Sequence, residues 1–183
     1  MVKAVHGKCS LPSGTKVSGV SIDSRSLAPD EAFIALRGLN RDGHEFVEAA
    51  LSQGASCAIV EQDFMAPRGE KRLLRVADTL QALNDLGTAS RARAKDTVVI
   101  AVTGSVGKTG TKEALKIALM PSGLVHVSLK SHNNHWGVPL TLSRMPREPV
   151  ECCSSAMATS RHYTLRACAR RSIAHSAERA QSS

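Results

Sequence analysis

Aromatic side chains are scarce in this chain: three Phe, one Trp and one Tyr among 183 residues, or 3%. A core must then be built from Val, Leu, Ile and Ala, and no aromatic platform for stacking single-stranded bases is in view. Apolar runs approaching the roughly 18 residues of a membrane span are missing too. The N-terminus has none of the charged, apolar and small-residue regions of a signal peptide. The five cysteines, Cys9, Cys57, Cys152, Cys153 and Cys168, are odd in number and contain no C-x-x-C pair. That argues against a disulfide framework and a zinc site. They read as reduced thiols of a cytoplasmic protein without membrane insertion. His6, His126, His132, His162 and His175 fall at no metal-ligand spacing, and no internal repeat is evident.

Acidic residues are outnumbered, giving a formal charge of +8. An excess of positive charge attracts nucleic acid, anionic membrane or a small phosphorylated ligand alike. The basic residues stand singly, with no run of five or six, so a solvated surface and a small anionic ligand are favoured over nucleic acid. At this length the chain fits one domain or two small ones.

Alternation of short apolar runs with helical patterns predicts an α/β fold with a parallel sheet. "VSGVSI" at Val17–Ile22, "AFIALRG" at Ala32–Gly38, "CAIVE" at Cys57–Glu61 and "RLLRV" at Arg72–Val76 read as strands. Between them, Phe46, Val47, Ala50 and Leu51 share a helical face that stops at Gly54. Asp78 and Gln81 resemble a capping box opening a helix with Leu80, Leu83 and Leu86 inward, running toward Ala94. The charged "SRARAKD" at Ser90–Asp96 marks a boundary. "TVVIAV" at Thr97–Val102 is then a β-branched strand of the kind covered on both faces. "KEALKIALM" predicts a helix with Ala114, Leu115, Ala118 and Leu119 inward, "LVHVSL" a strand and "GVPLTLSRM" a helix. Beyond Arg147 the text turns to Ser, Ala, Arg and Cys without a period, and neither the next strand nor a capped helix is legible.

The stretch "AVTGSVGKTGTKEAL" at Ala101–Leu115 carries the chemistry. After a strand and before a helix, backbone N–H groups can converge on phosphate oxygens at the helix's positive end, and glycines permit the close approach. Thr103, Gly104, Ser105, Val106, Gly107, Lys108, Thr109 and Gly110 form that candidate cradle. Lys108 would meet the β- and γ-phosphates as a point charge, and the Thr109 hydroxyl would ligate the bridging Mg²⁺. The strict G-x-x-x-x-G-K-[ST] pattern asks for glycine where Val102 stands. Asp23–Arg25 alone reads as a charged turn with an internal ion pair. Asn133 and Asn134 read either as turn formers or as groups facing a ligand crevice at a strand's carboxyl end.

"TGSVGKTGTKE" resembles the T-G-S/T-x-G-K-T-[ST]-T-K-E loop of the Mur ligases, ATP-dependent amide-forming enzymes of peptidoglycan synthesis. "VSGVSIDSRSLAPDEAFIALRGLNRDGHEFVEAALSQGA" is similar to the amino-terminal substrate domain of one member, and "SHNNHWGVPLTLSRMP" to its Asn-rich loop and following helix. The resemblance covers most of Val17–Pro146. It implies a UDP-sugar-binding α/β domain over 1–95, a partial P-loop ATP-binding domain over 96–147 and an irregular tail over 148–183. It further implies ATP and Mg²⁺ as cofactors, UDP-N-acetylmuramoyl-tripeptide and D-alanyl-D-alanine as substrates, and a monomer. The terminal carboxylate of the tripeptide would be phosphorylated and then attacked by the dipeptide amine, with Lys108 and Thr109 serving the phosphoryl transfer. Ser21, Asp23, Ser24 and Arg25, then Asp42, Gly43 and His44, with Asn133 and Asn134, are the implied substrate-binding residues. A noncatalytic nucleotide or UDP-sugar-binding module is the rival reading.

The chain departs from the family where Gly110 replaces the usual Ser or Thr, and part of the first family helix is missing. Nothing after Arg147 matches the family's further metal and nucleotide motifs. An out-of-frame or degenerate end and no turnover by this chain alone are the resulting expectations.

Overall fold

The computed structural model describes residues 1–128 and 135–146, together with the backbone of 151–155. Among the described residues the strands form two sheets. In the first, β2 (Gly19–Ser21), β3 (Glu31–Ile34), β4 (Cys57–Glu61) and β5 (Leu73–Val76) run parallel in that order, and β1 (Lys8–Cys9) pairs antiparallel with β5 at the far edge. Register is set by apolar partners such as Ile34 opposite Ile59 and Ile59 opposite Leu74.

Because side chains alternate along a strand, each strand feeds two cores. Ile34, Ile59 and Leu74 pack on one face with Leu83 and Leu86 of α2 (Thr79–Arg93). Phe33, Ala58, Val60 and Leu73 pack on the other with Val47, Ala50 and Leu51 of α1 (Val47–Ser52). The core is aliphatic, as the composition requires, with Phe33 as its one fully buried aromatic among the described residues. Gly54 takes φ +101° just past α1, where a Cβ would be strained. Asp78 caps α2 by accepting the Gln81 N–H at 2.8 Å, while the Gln81 amide donates to Asp85 instead of reaching back. Only the first half of the expected capping box is therefore seen.

The second sheet has the order β6 (Val99–Val102), β8 (Glu151–Ser155), β7 (Val125–Val127), all parallel. β8 corrects the expectation that no strand follows Arg147: "ECCSS" occupies the centre of this sheet, with Val99 opposite Cys152 and Val127 opposite Cys153. A strand paired on both sides is held by main-chain hydrogen bonds, so it needs no run of bulky β-branched residues, the signal sought in the sequence. The rest of the predicted tail, 148–150 and 156–183, lies outside the described residues.

Two further expectations are revised. β6 is only partly covered, with Ala101 exposed, and is not sealed on both faces. On α3 (Lys108–Leu119), Leu115 and Leu119 are half-buried but Ala114 and Ala118 are exposed. The inward face is thus narrower than the sequence pattern indicated.

α4 (Gly137–Ser143) bridges the two sheets. Leu140 enters the first sheet's core. Gly87 lets α2 approach: a Cβ there would lie 3.0 Å from the Pro139 carbonyl oxygen. Arg144 donates through Nε to the Val20 carbonyl at 2.6 Å and lies 3.6 Å from Glu31. Toward the second sheet, His126 Nε2 lies 2.9 Å from the Thr141 carbonyl oxygen.

Candidate functional site

Both candidate sites lie past the carboxyl ends of parallel strands, where open α/β sheets bind ligands. The first follows β6. Its loop, Thr103–Gly107, is exposed and turns through Gly104 (φ +149°) and Gly107 (φ +80°), glycine conformations that L side chains rarely adopt. Gly107 is the N-cap of α3, with no side-chain cap and no acidic residue in the first turn. Thr111 N–H already bonds the Gly107 carbonyl at 2.9 Å. The N–H groups at the start of the helix, which have no intrahelical acceptor, meet no carboxylate from the helix's own first turn. That donor set suits a polyphosphate.

Lys108 Nζ donates to the Gly104 carbonyl and, at 3.4 Å, to that of Ser105, so the loop curls over its own ammonium. Thr109 is exposed in the first turn. A Cβ on Gly110 would meet nothing within 4 Å, so the family's Ser or Thr would fit there. One turn on, Lys112 is buried and donates to the Ser128 carbonyl at 2.9 Å, which ties α3 to the end of β7. Sequence reading gave Lys112 no role, and its burial has no signal in a lysine's chemistry. Among the described residues no group of three or more His, Cys, Asp or Glu could hold a metal.

The second site is a cavity of about 890 Å³ after β2 and β3. Asp23, Ser24, Arg25 and Gly43 line it, so the structure brings together four residues singled out in the sequence. The Asp23–Arg25 turn does contain its internal ion pair: Arg25 Nε and Nη2 each lie 2.9 Å from the Asp23 carboxylate. That carboxylate raises the Arg25 pKa, first by the hydrogen bond and then by its charge. Ser21, buried, donates to the Asp23 carbonyl at 3.1 Å and shapes the turn from behind.

Gly43 has a physical reason to be glycine. Its N–H bonds the Leu36 carbonyl at 2.8 Å, and a Cβ would fall 2.6 Å from that oxygen and 2.7 Å from Leu36 N. Asp42 and His44 stand behind the cavity wall. His44 Nε2 accepts the Glu61 N–H at 3.1 Å, and its Nδ1, 2.6 Å from the Asp42 carboxylate, is placed to donate to it. Partial burial pushes the Asp42 pKa up, but donation from the His44 backbone and ring, with Arg37 nearby, outweighs it and the net shift is downward. His44 thereby fastens the cavity loop to β4. Asn133 and Asn134 lie outside the described residues.

Sequence reading missed several cavity residues: Phe33, Leu36, Arg37, Arg41, Phe46 and Trp136. The arginines lie within the quoted "ALRGLNRDGHEF", but nothing in their spacing distinguishes a wall from a solvated turn. Trp136 comes from the other sheet's segment, a proximity invisible in one dimension.

The chain matches the Mur ligase family, catalytic domain, over residues 16–95 and the Mur ligase middle domain over residues 102–170. It belongs to the Mur ligase family. The second match extends past Arg147, where the sequence patterning alone was lost. A UDP-N-acetylmuramoyl-tripeptide–D-alanyl-D-alanine ligase of Bacillus subtilis is 39% identical over 132 residues, which is 72% of this chain and 29% of that protein. The crystal structure of MurF from Acinetobacter baumannii superposes with a TM-score of 0.73 at 33% identity, covering 86% of this chain and 34% of its own. That of the Thermotoga maritima MurF ligase in complex with ADP gives 0.59 at 26% identity, covering 80% and 33%. This Mur ligase chain thus spans about a third or less of the relatives it matches.

Proposed function

We propose that this chain is the sugar-nucleotide-binding and phosphate-binding portion of an ATP-dependent ligase that adds D-alanyl-D-alanine to UDP-N-acetylmuramoyl-tripeptide. The observation that carries the reading is the loop after β6. Gly107 caps α3 in a left-handed conformation, no acidic residue shares the helix's first turn, and Lys108 follows at once. Mg²⁺-ATP, when bound, would supply a phosphoryl group to the tripeptide's carboxylate, leaving ADP, so that attack by the dipeptide amine could expel phosphate and form the amide.

The chain's own residues contribute position and charge. Main-chain N–H groups of the loop and the first turn of α3 hold terminal phosphate oxygens. Lys108 exchanges the Gly104 and Ser105 carbonyls for those oxygens and offsets their charge. Thr109 offers its hydroxyl to the metal. In the other site, Arg41 suits a diphosphate, as do Arg25 and Arg37 once they exchange the Asp23 and Glu61 carboxylates for phosphate oxygens, because a planar guanidinium donates two parallel hydrogen bonds. The separation into UDP-sugar-binding residues up to 95 and phosphate-binding residues from 96 is part of this proposal, although α4 packs across it.

Calorimetric titration tests both halves. UDP-N-acetylmuramoyl-tripeptide and Mg²⁺-ATP are expected to bind independently, with Arg25→Ala weakening the first by roughly tenfold or more and leaving the second unchanged. If Arg25→Ala changed neither titration, or ATP competed with the sugar nucleotide for one site, the reading would be wrong.

A further inference from the structure

The chain has one tryptophan, and it lines the cavity after β2 and β3 although it belongs to the segment after β7. Its place is fixed both by its own packing against the core cluster that holds Leu140 and by its neighbours. Trp136 precedes α4, its carbonyl accepts the Leu140 N–H at 3.0 Å, and Gly137, Pro139 and Leu140 are buried against the first sheet and α2. The indole itself is half-buried. Its edge lies against the turn at Gly38, where an added Cβ would come 3.2 Å from Cη2. Glycine there lets the ring lie flush on the turn. His135 packs edge-on at a centroid distance of 5.3 Å and also lines the cavity.

One side of Trp136 thus meets the core, and the ring is left only half-buried. Its remaining surface stands at the boundary of a space walled by Phe33, Leu36 and Phe46 on the apolar side and, on the charged side, by Arg41 and by Arg25 and Arg37 with their partners Asp23 and Glu61. Apolar, aromatic and cationic walls in one cavity match a planar base joined to a diphosphate.

We propose that Trp136 is a ligand-contacting wall of this cavity, packing its indole against the base of the nucleoside diphosphate sugar, so that two separated chain segments build one pocket. The proposal rests on the sugar-nucleotide reading above and adds the residue and the ligand part it meets. The sole tryptophan also makes it readable without mutation.

Wild-type protein is titrated with UDP and, separately, with ribose 5-phosphate, following tryptophan emission and heat together. UDP is expected to change the emission, and ribose 5-phosphate is not. Trp136→Ala is expected to weaken UDP about tenfold, while Trp136→Phe stays within about threefold of wild type, both keeping the wild-type circular dichroism. Heat from UDP without any change in emission, together with unaltered affinity in Trp136→Ala, would overturn the role of Trp136 and leave the sugar-nucleotide reading standing. Loss in Trp136→Ala that Trp136→Phe shares in full, or that comes with a changed dichroism, would assign the residue to packing and overturn it as well. No heat from UDP or from UDP-N-acetylmuramoyl-tripeptide would remove both proposals.

Discussion

Gly43 and Asp42 are adjacent, and each is held by a different physical constraint. A methyl on Gly43 would meet main-chain atoms of Leu36 that cannot swing aside. Gly43→Ala should therefore cost about 1–3 kcal/mol, as overpacking does, and a urea melt will read it as a lower midpoint. Asp42 accepts both His44 N–H groups, and its folded pKa lies below the ordinary value. A carboxyl with a depressed folded pKa stabilises fully above its unfolded pKa of about 3.9, and that contribution is lost as pH falls through the lower folded value. Asp42→Ala should cost on the order of 1 kcal/mol at pH 7. The gap to wild type should narrow below about pH 4, and denaturation at pH 7 and pH 3 checks the sign. At Cys57, burial pushes the thiol up to about 11. Mass mapping of a thiol reagent at pH 8 should find exposed Cys9 labelled and Cys57 protected until the protein unfolds.

Elements of the first sheet were legible where local and tertiary demands agree. β4 falls on "CAIVE", α2 starts at the Asp78 cap, and the helix before Gly54 buries Val47, Ala50 and Leu51 as its period requires. β1 was not, since two exposed residues added at an edge leave no pattern. β8 was not, because a central strand of small residues draws on its neighbours' hydrogen bonds. In the candidate sites, the phosphate loop and the Asp23–Arg25 turn were legible because each is one contiguous stretch. The cavity's remaining walls come from turns and from α4, whose juxtaposition is a property of the fold. α4 also carries an energetic expectation. Leu140→Ala should cost about 2–5 kcal/mol by removing a buried side chain shared by α2, β2 and α4. Gly110 offers the opposite case, an exposed helical glycine with open space around it. Gly110→Ala should raise stability by about 0.5–1 kcal/mol, seen as a higher unfolding midpoint.

At the scale of the whole molecule, the two sheets differ in how their described residues are covered. The first has a core on each face. Near the second, Val106, Ile117, Met120 and Leu124 are exposed by more than half. Exposed apolar side chains of this kind favour self-association, and Ile117→Lys should reduce light scattering while leaving stability within about 0.5 kcal/mol. Between the sheets, α4 couples the segment carrying the phosphate loop to the cavity after β2 and β3. The central claim is that the loop after β6 grips a nucleotide's terminal phosphates. Calorimetry with Mg²⁺-ATP on wild type and Lys108→Ala tests it most directly. Saturable binding by the wild type and its loss in the variant, with UDP-N-acetylmuramoyl-tripeptide binding retained in both, is the predicted result; equal ATP binding by both proteins, or none by the wild type, would contradict it.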